Sequence, residues 1–417
     1  MNRLQMTWRR PRQVARWLVC LSLGVLAGGL SCEAQAEVLT KGDLQAEIDG
    51  YVKRHRKAVV VARILRPEGD LFVSAGEFER EGELQAPDEN SVFAIASVTK
   101  TFTAGLLAVL ASKDMLKLDD AANAYLPEKW RLPDEKREAG TRQITLRELA
   151  THHSGLPVQP PTIAFFALSR LTPGNPYSQF NGDELAKTMK SLPLENGVGT
   201  KYVYSNLGTG LLGHALAGAA KEESYESALR KHLLEPLELN DTVIRVPEEM
   251  RVRVVPTFNS VGDRAPSWDF ATLEACGGLR STCHDLTRWV RFHWGDLSGE
   301  FGNPLGGVLA TTLEPQFPQP VKPHSRELVM GLGWHLIALP EDPAPEKEAA
   351  PTAEPPKKPV VRRVAFHNGA TTAGRSFIAF DAKRKVGVVL LANVPHSLDK
   401  IGMRLIKRLV DEHPAAE

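Results

Sequence analysis

The sequence predicts an α+β fold, an antiparallel β-sheet flanked by terminal helices, with an all-α region inserted over about residues 110–290. Three observations lead there. Runs rich in β-branched and aliphatic residues lie near one end at 59–65 and 71–75, and near the other at 330–338, 360–366, 376–380 and 386–391. Helix starts and 3.6-residue apolar spacing fill the stretch between them. Amphipathic spacing marks both extremes, over 43–55 and 398–411. Strands from two distant segments bury their apolar faces best in one shared sheet, which leaves the intervening helices to form their own layer.

The start of the chain is different in kind. Arg3, Arg9, Arg10, Arg12 and Arg16 precede a short apolar run over 17–30, and Ala34-Gln35-Ala36 follows. A basic start, a short apolar core and an Ala-x-Ala site have the form of a secretory signal peptide spanning residues 1–36, cleaved after Ala36. The run is short for a transmembrane span, so the mature chain is expected to have none and to be periplasmic or secreted. Two other export routes fit less well: Pro11 follows the twin arginine Arg9-Arg10, and Gly29 and Ser31 are poor neighbours for a lipoprotein cysteine at Cys32.

Residues 37–417 should form one domain. Removing five arginines and one glutamate turns the net charge of +1 into −3. Without a basic stripe there is no reason to expect nucleic-acid binding. The 12 histidines form no H-E-x-x-H and the cysteines no C-x-x-C, so neither metal nor cofactor is expected. Cys276 and Cys283 would remain after cleavage, and a disulfide and two buried thiols are both open to them.

Each element has its own signal. Leu44, Ile48, Tyr51 and Val52 share one face of the first helix. Arg66-Pro67-Glu68-Gly69-Asp70 joins the first two strands as a hairpin. A helix opening near Ser97 carries Val98, Phe102, Leu106, Val109 and Leu110 on one stripe, and a short helix follows Leu116 to Asp120 and stops at Pro127. Thr145-Leu146-Arg147-Glu148 and Asn181-Gly182-Asp183-Glu184 have the form of capping boxes. Further helices are expected at 209–221 and 224–234, and Arg280-Ser281-Thr282 before Asp285 starts another. Residues 341–359 are rich in Pro, Ala and charge, carry no large aliphatic side chain, and are expected to be a disordered insertion at a hairpin tip.

Chemistry enters at Ser97-Val98-Thr99-Lys100. On a helix, residues three apart lie on one face, so the Ser97 hydroxyl and the Lys100 amine can meet. Serine is a poor nucleophile until a neighbour takes its proton, and lysine can help when its environment is altered by burial or charge. S-x-x-K alone is a common surface pair. Two further signals accompany it, Tyr204-Ser205-Asn206 and His367-Asn368-Gly369.

Ser97-x-x-Lys100, Tyr204-x-Asn206 and His367-x-Gly369 resemble, in order and separation, the three motifs of the penicillin-recognising serine hydrolases. The branch with Tyr-x-Asn, comprising class C β-lactamases, low-molecular-weight DD-carboxypeptidases and related esterases, is the most similar. Residues 149–157, 277–282 and 331–334 also look like this branch. The resemblance implies a β-lactamase/transpeptidase-like fold and an acyl-enzyme mechanism, with a peptidoglycan peptide or a β-lactam as partner; a monomer is expected, though the sequence itself carries no signal of oligomeric state. It implies that Ser97 is the nucleophile and that Tyr204, helped by Lys100, exchanges protons with it. Asn206 would hold the substrate amide and the Lys100 amine. His367 and Gly369 would line the substrate along an edge strand, and the N–H of Ala370 with that of Ser97 would form the oxyanion hole. Class C enzymes usually carry Lys-Thr-Gly where this chain has His-Asn-Gly, so His367 is expected to grip a carboxylate less steadily than lysine. His152 and His153 are expected to be structural.

Overall fold

The computed structural model describes residues 38–138, 140–162, 165, 175–295, 305, 307–317, 328–338 and 363–414. The expected signal peptide, Cys32 and the Pro-rich insertion lie outside them.

Seven strands form the main sheet: β1 (Val60–Leu65), β2 (Leu71–Ala75), β3 (Leu328–Met330), β4 (His335–Ala338), β5 (Arg363–Thr371), β6 (Gly374–Asp381) and β7 (Val386–Ala392). Their order is β2-β1-β7-β6-β5-β4-β3, with every neighbouring pair antiparallel. The N-terminal hairpin thus joins the C-terminal strands through the β1–β7 pair, where Val60 lies opposite Ala392.

Two expected strands changed shape. The run over 330–338 is a tight hairpin, because Gly333 turns the chain at φ +68 and the Gly331 N–H bonds the Trp334 carbonyl at 2.9 Å. A Cβ on Gly333 would stand 2.7 Å from the Lys100 carbonyl, so this turn presses directly on the helix that carries Lys100. β5 runs through Thr371, well past the expected end at 366, since its second half is polar and lacks the apolar alternation that marks a strand. β4 pairs with β5 only from Arg363 to Phe366. Among the described residues no strand covers that edge of His367–Thr371.

One face of the sheet is covered by α1 (Lys41–Arg54) and, at the end of the chain, the closing helix Asp399–Glu412. Leu44, Ile48 and Tyr51 of α1 pack with Leu405 and Leu409 against Val60, Ile64, Phe377 and Leu390. The capping box at Thr40 and Asp43 fixes the start of α1, a contribution of about 1 kcal/mol.

The other face receives α2 (Thr99–Ser112). Its predicted stripe is buried, and so is the opposite side, because α2 is sandwiched between the sheet and the helical layer. That layer contains α3 (Leu146–Ala150), α4 (Gly182–Met189), α5 (Asn206–Ala220) and α6 (Tyr225–Leu229), whereas α7 (Cys283–His293) lies beside α2 against β1 and β7. The closing helix is α8. Trp289 of α7 stacks on Phe102 at 4.2 Å and donates to Thr101 Oγ1, locking α7 to α2.

The region over 110–290 is not purely helical. Glu135–Arg137 pairs with Gly140–Arg142, and Arg280–Ser281 pairs with Phe93–Ala94. The short helix expected after Leu116 is a 3₁₀ turn at Ala122–Ala124. Thr145 forms its capping box with Glu148. Asn181 caps α4 through the N–H groups of Asp183 and Glu184, but the reciprocal bond is replaced by the Glu184–Lys187 ion pair.

Candidate active site

The two-residue ladder between Phe93–Ala94 and Arg280–Ser281 delivers the chain to Ser97. Ala96 then takes φ +46, a left-handed conformation that costs a non-glycine residue about 1 kcal/mol. Hydrogen bonds hold the turn: the Ile95 N–H to the Leu279 carbonyl at 3.0 Å, and Ser376 Oγ to the Ile95 carbonyl at 2.6 Å. Ser97 therefore sits half-buried in a 3₁₀ turn, Ala96–Val98, immediately ahead of α2.

Lys100 is 1% exposed, and its ammonium has three donors to place. They go to Ser97 Oγ at 3.1 Å, Asn206 Oδ1 at 2.8 Å and the Cys276 carbonyl at 2.6 Å. The amine also lies 4.7 Å from the centre of the Tyr204 ring, within cation–π range. Its three acceptors come from three widely separated parts of the sequence, and every one of them is neutral. Three hydrogen bonds and a cation–π contact are what a buried cation needs to offset lost hydration.

The second motif lies at the start of α5. Ser205 caps the helix by accepting from the Gly208 N–H at 2.9 Å and donates to the Pro157 carbonyl at 2.6 Å. Its own N–H is received by His152 Nδ1 at 3.1 Å. His152 thus holds the segment that carries Tyr204, with the two rings 4.5 Å apart. Burial and the nearby Lys100 charge keep His152 neutral, well below the usual imidazole range. His153 bonds the Thr151 carbonyl and stacks on Phe317 at 4.0 Å. Both settings are those of packing residues.

Asn206 is used at both ends, because Nδ2 donates to the Tyr177 hydroxyl at 2.8 Å while Oδ1 faces Lys100. Tyr177 passes the bond on to Gln159 and is enclosed by Phe165, Trp268 and Phe270. Nothing in the spacing around Asn175-Pro176-Tyr177 pointed to this contact.

The third motif meets the first at Gly369. A Cβ there would stand 2.2 Å from the Ile95 carbonyl and 2.3 Å from Ser376 Oγ, so only glycine lets β5 come this close to the turn carrying Ser97. Ala370 follows and is exposed. His367 departs from the expectation. It is 1% exposed, its Nδ1 donates to the Asn368 carbonyl at 2.8 Å, and burial with His335 and Lys100 close by keeps it neutral far below the ordinary histidine pKa. Its burial and its shift away from the charged form weigh against its gripping a carboxylate as a cation.

Cys276 and Cys283 are both free and buried, their thiols pushed up to about 11 and about 12 by desolvation. Among the described residues no three His, Cys, Asp or Glu side chains are grouped to hold a metal ion, and no helix is long and apolar enough to cross a membrane.

A family profile described as Beta-lactamase matches residues 44–411. The chain belongs to the beta-lactamase family. It is a serine hydrolase of the penicillin-recognising kind. A beta-lactamase of Lysobacter lactamgenus is 24% identical over 90% of this chain and 92% of its own. A beta-lactamase of Escherichia coli (strain K12) is 28% identical over 74% and 77%. The D-alanyl-D-alanine-carboxypeptidase/endopeptidase AmpH of the same strain is 32% identical over 55% of each chain. Among solved structures, a beta-lactamase/D-alanine carboxypeptidase from Pseudomonas syringae superposes with a TM-score of 0.69 at 22% identity, covering 89% of this chain and 98% of that one. A class C beta-lactamase does so at 0.68 and 21%, covering 90% and 96%. These structures share the beta-lactamase fold of one antiparallel sheet with helices on both faces, and in this family member the three motifs meet where α2, the start of α5 and β5 converge.

Proposed function

We propose that the protein is an exported serine acyl hydrolase that works through an acyl-enzyme on D-alanyl-D-alanine peptides of the cell wall and on β-lactams. The observation that carries this is the Lys100 amine, 3.1 Å from Ser97 Oγ, oriented by Asn206 and lying beside the Tyr204 ring. Ser97 Oγ attacks the carbonyl carbon as its proton passes to the unprotonated member of the Lys100–Tyr204 pair, a neutral Lys100 amine or a Tyr204 phenolate beside the Lys100 ammonium. The same groups return a proton to the leaving amine and then deprotonate the water that releases the acyl group. The N–H groups of Ser97 and Ala370 receive the oxyanion, a contribution of about 3 kcal/mol per donor in such sites. The edge of His367–Thr371, which no described strand covers, suits an extended, peptide-like acyl chain that would add itself as a further strand.

One observation favours a second reading on the same site, hydrolysis of esters or D-amino-acid amides. A neutral, inward-facing His367 offers no charge to a substrate carboxylate, and a neutral substrate needs none. A protein that is acylated at Ser97 without turning over is the remaining alternative.

Rates on a D-Ala-D-Ala peptide, nitrocefin and a p-nitrophenyl ester rank these substrates, and intact-mass analysis after mixing with a penicillin reports the acyl-enzyme. Ser97→Ala should abolish both labelling and turnover with the fold preserved. Turnover unchanged in that variant would end the proposal, and an adduct that persists for hours without product would favour the non-hydrolysing alternative.

A further inference from the structure

His335 opens β4 directly after the Gly331–Trp334 turn, and the sequence motifs did not single it out. Its Nε2 lies 3.1 Å from the Tyr202 hydroxyl, and its Nδ1 is buried with no partner. On the adjoining strand, His367 Nε2 is also buried with no partner. Both are orphaned ring nitrogens beside the Lys100 cluster, as is His153 Nε2 nearby, and native interiors seldom leave such atoms unpaired.

Their protonation states are complementary. A carbonyl can only accept, so the contact between His367 Nδ1 and the Asn368 carbonyl puts that ring's proton on Nδ1 and leaves Nε2 as a bare acceptor. If the Tyr202 hydroxyl donates to His335 Nε2, the His335 proton sits on Nδ1, a donor in need of an acceptor. The ring centres are 5.2 Å apart, close enough for a small side-chain adjustment to join the two nitrogens. The titratable groups of this cluster come from five places: Lys100 of α2, His152 after α3, Tyr202 and Tyr204 before α5, His335 of β4 and His367 of β5. None of the groups acting on His367 is a carboxylate.

We propose that His335, oriented by Tyr202, is a positioning residue that offers its Nδ1 proton to the bare Nε2 of His367 and holds that ring uncharged beside Lys100. Lys100 is then spared a second cation beside it. A second cation there would compete with Lys100 and disturb its contacts to Ser97 and Asn206. The proposal rests on the serine hydrolase reading only for its assay.

The test is the pH dependence of acylation by a neutral p-nitrophenyl ester, for the full chain, His335→Leu and Tyr202→Phe, with unfolding transitions measured alongside. Removing His335 takes away the donor that neutral His367 would accept from. His367 should then titrate closer to the ordinary imidazole range. The expected result is an acid limb of the acylation rate that moves up by one pH unit or more in His335→Leu and by less in Tyr202→Phe, with rates above pH 8 within about threefold of the parent. A merely structural histidine would lower the rate equally at every pH. Limbs that coincide in folded variants would overturn the proposal. If His335→Leu does not fold, an unmoved limb in Tyr202→Phe overturns it alone. Failure of the underlying reading is distinguishable, since the parent would then show no ester adduct at Ser97.

Discussion

Gly369→Ala isolates the contact that brings the third motif to the first. The added Cβ would stand 2.2 Å from the Ile95 carbonyl oxygen, 2.3 Å from Ser376 Oγ and 3.1 Å from Ala96 Cβ. Ordinary packing needs about 3.4 Å, so β5 must retreat by about 1 Å from the turn carrying Ser97 or distort that turn. Gly369 does not have a positive φ, so alanine brings no backbone penalty and the effect is one of packing. Overpacking of this kind costs about 1–3 kcal/mol of stability. The effect on rate should be larger, because a displacement of about 1 Å between reacting groups can cost roughly a hundredfold. Gly374→Ala is the matched control: on the neighbouring strand its Cβ would meet nothing closer than 3.5 Å. Stopped-flow acylation with urea melts on both variants gives the answer. A Gly369→Ala enzyme that acylates within about threefold of the parent would show that β5 does not serve the reaction at Ser97.

Other outcomes follow from the same geometry. Tyr204→Phe keeps the ring beside Lys100 and removes the hydroxyl, and turnover should fall by about two to four orders of magnitude; a loss below about threefold would exclude Tyr204 from proton transfer. Tyr177→Phe leaves Asn206 Nδ2 without its acceptor, and should cost about 1 kcal/mol in urea unfolding and raise KM more than it lowers kcat. Cys276 and Cys283 should resist alkylation in the native protein and react only after unfolding, as read by peptide mass spectrometry. His293 and His335 are lowered to about 4 by burial. Folded values below unfolded ones mean that the unfolded chain binds the extra protons, so this stability is complete above about pH 6.5 and is lost as pH falls toward 4. Each such histidine contributes a slope of about 1.4 kcal/mol per pH unit in that window. Equal unfolding free energies at pH 7.5 and 5.5 would contradict it.

Much of this was legible from residues alone. The hairpin of β1 and β2, the terminal helices, the Thr145 box and the Thr282 cap rest on local rules, and the structure has them close to where those rules put them. Ser97, Lys100 and Asn206 were readable because their chemistry is tied to short spacings, and the structure joins all three by hydrogen bonds. What escaped was whatever depended on tertiary surroundings. The neutrality of His367 is set by the burial of its ring and by His335 and Lys100, none of which its own motif encodes. Tyr177 and the Cys276 carbonyl reach the cluster through folds of the chain that no local pattern announces. Polar residues at 367–371 hid the length of β5, and Gly331 and Gly333 broke a strand that read as continuous.

The edge of β5 that no described strand covers has a cost outside catalysis. Main-chain donors and acceptors left open along a strand invite any extended segment, including one from another copy of the same protein, so a seam made for substrate is also a place where self-association can begin. Here the open stretch is short, runs only from His367 to Thr371 and abuts the turn at Ile95 and Ala96. A single narrow peptide can enter such a recess, whereas the long flat border needed to zip two sheets together is not on offer.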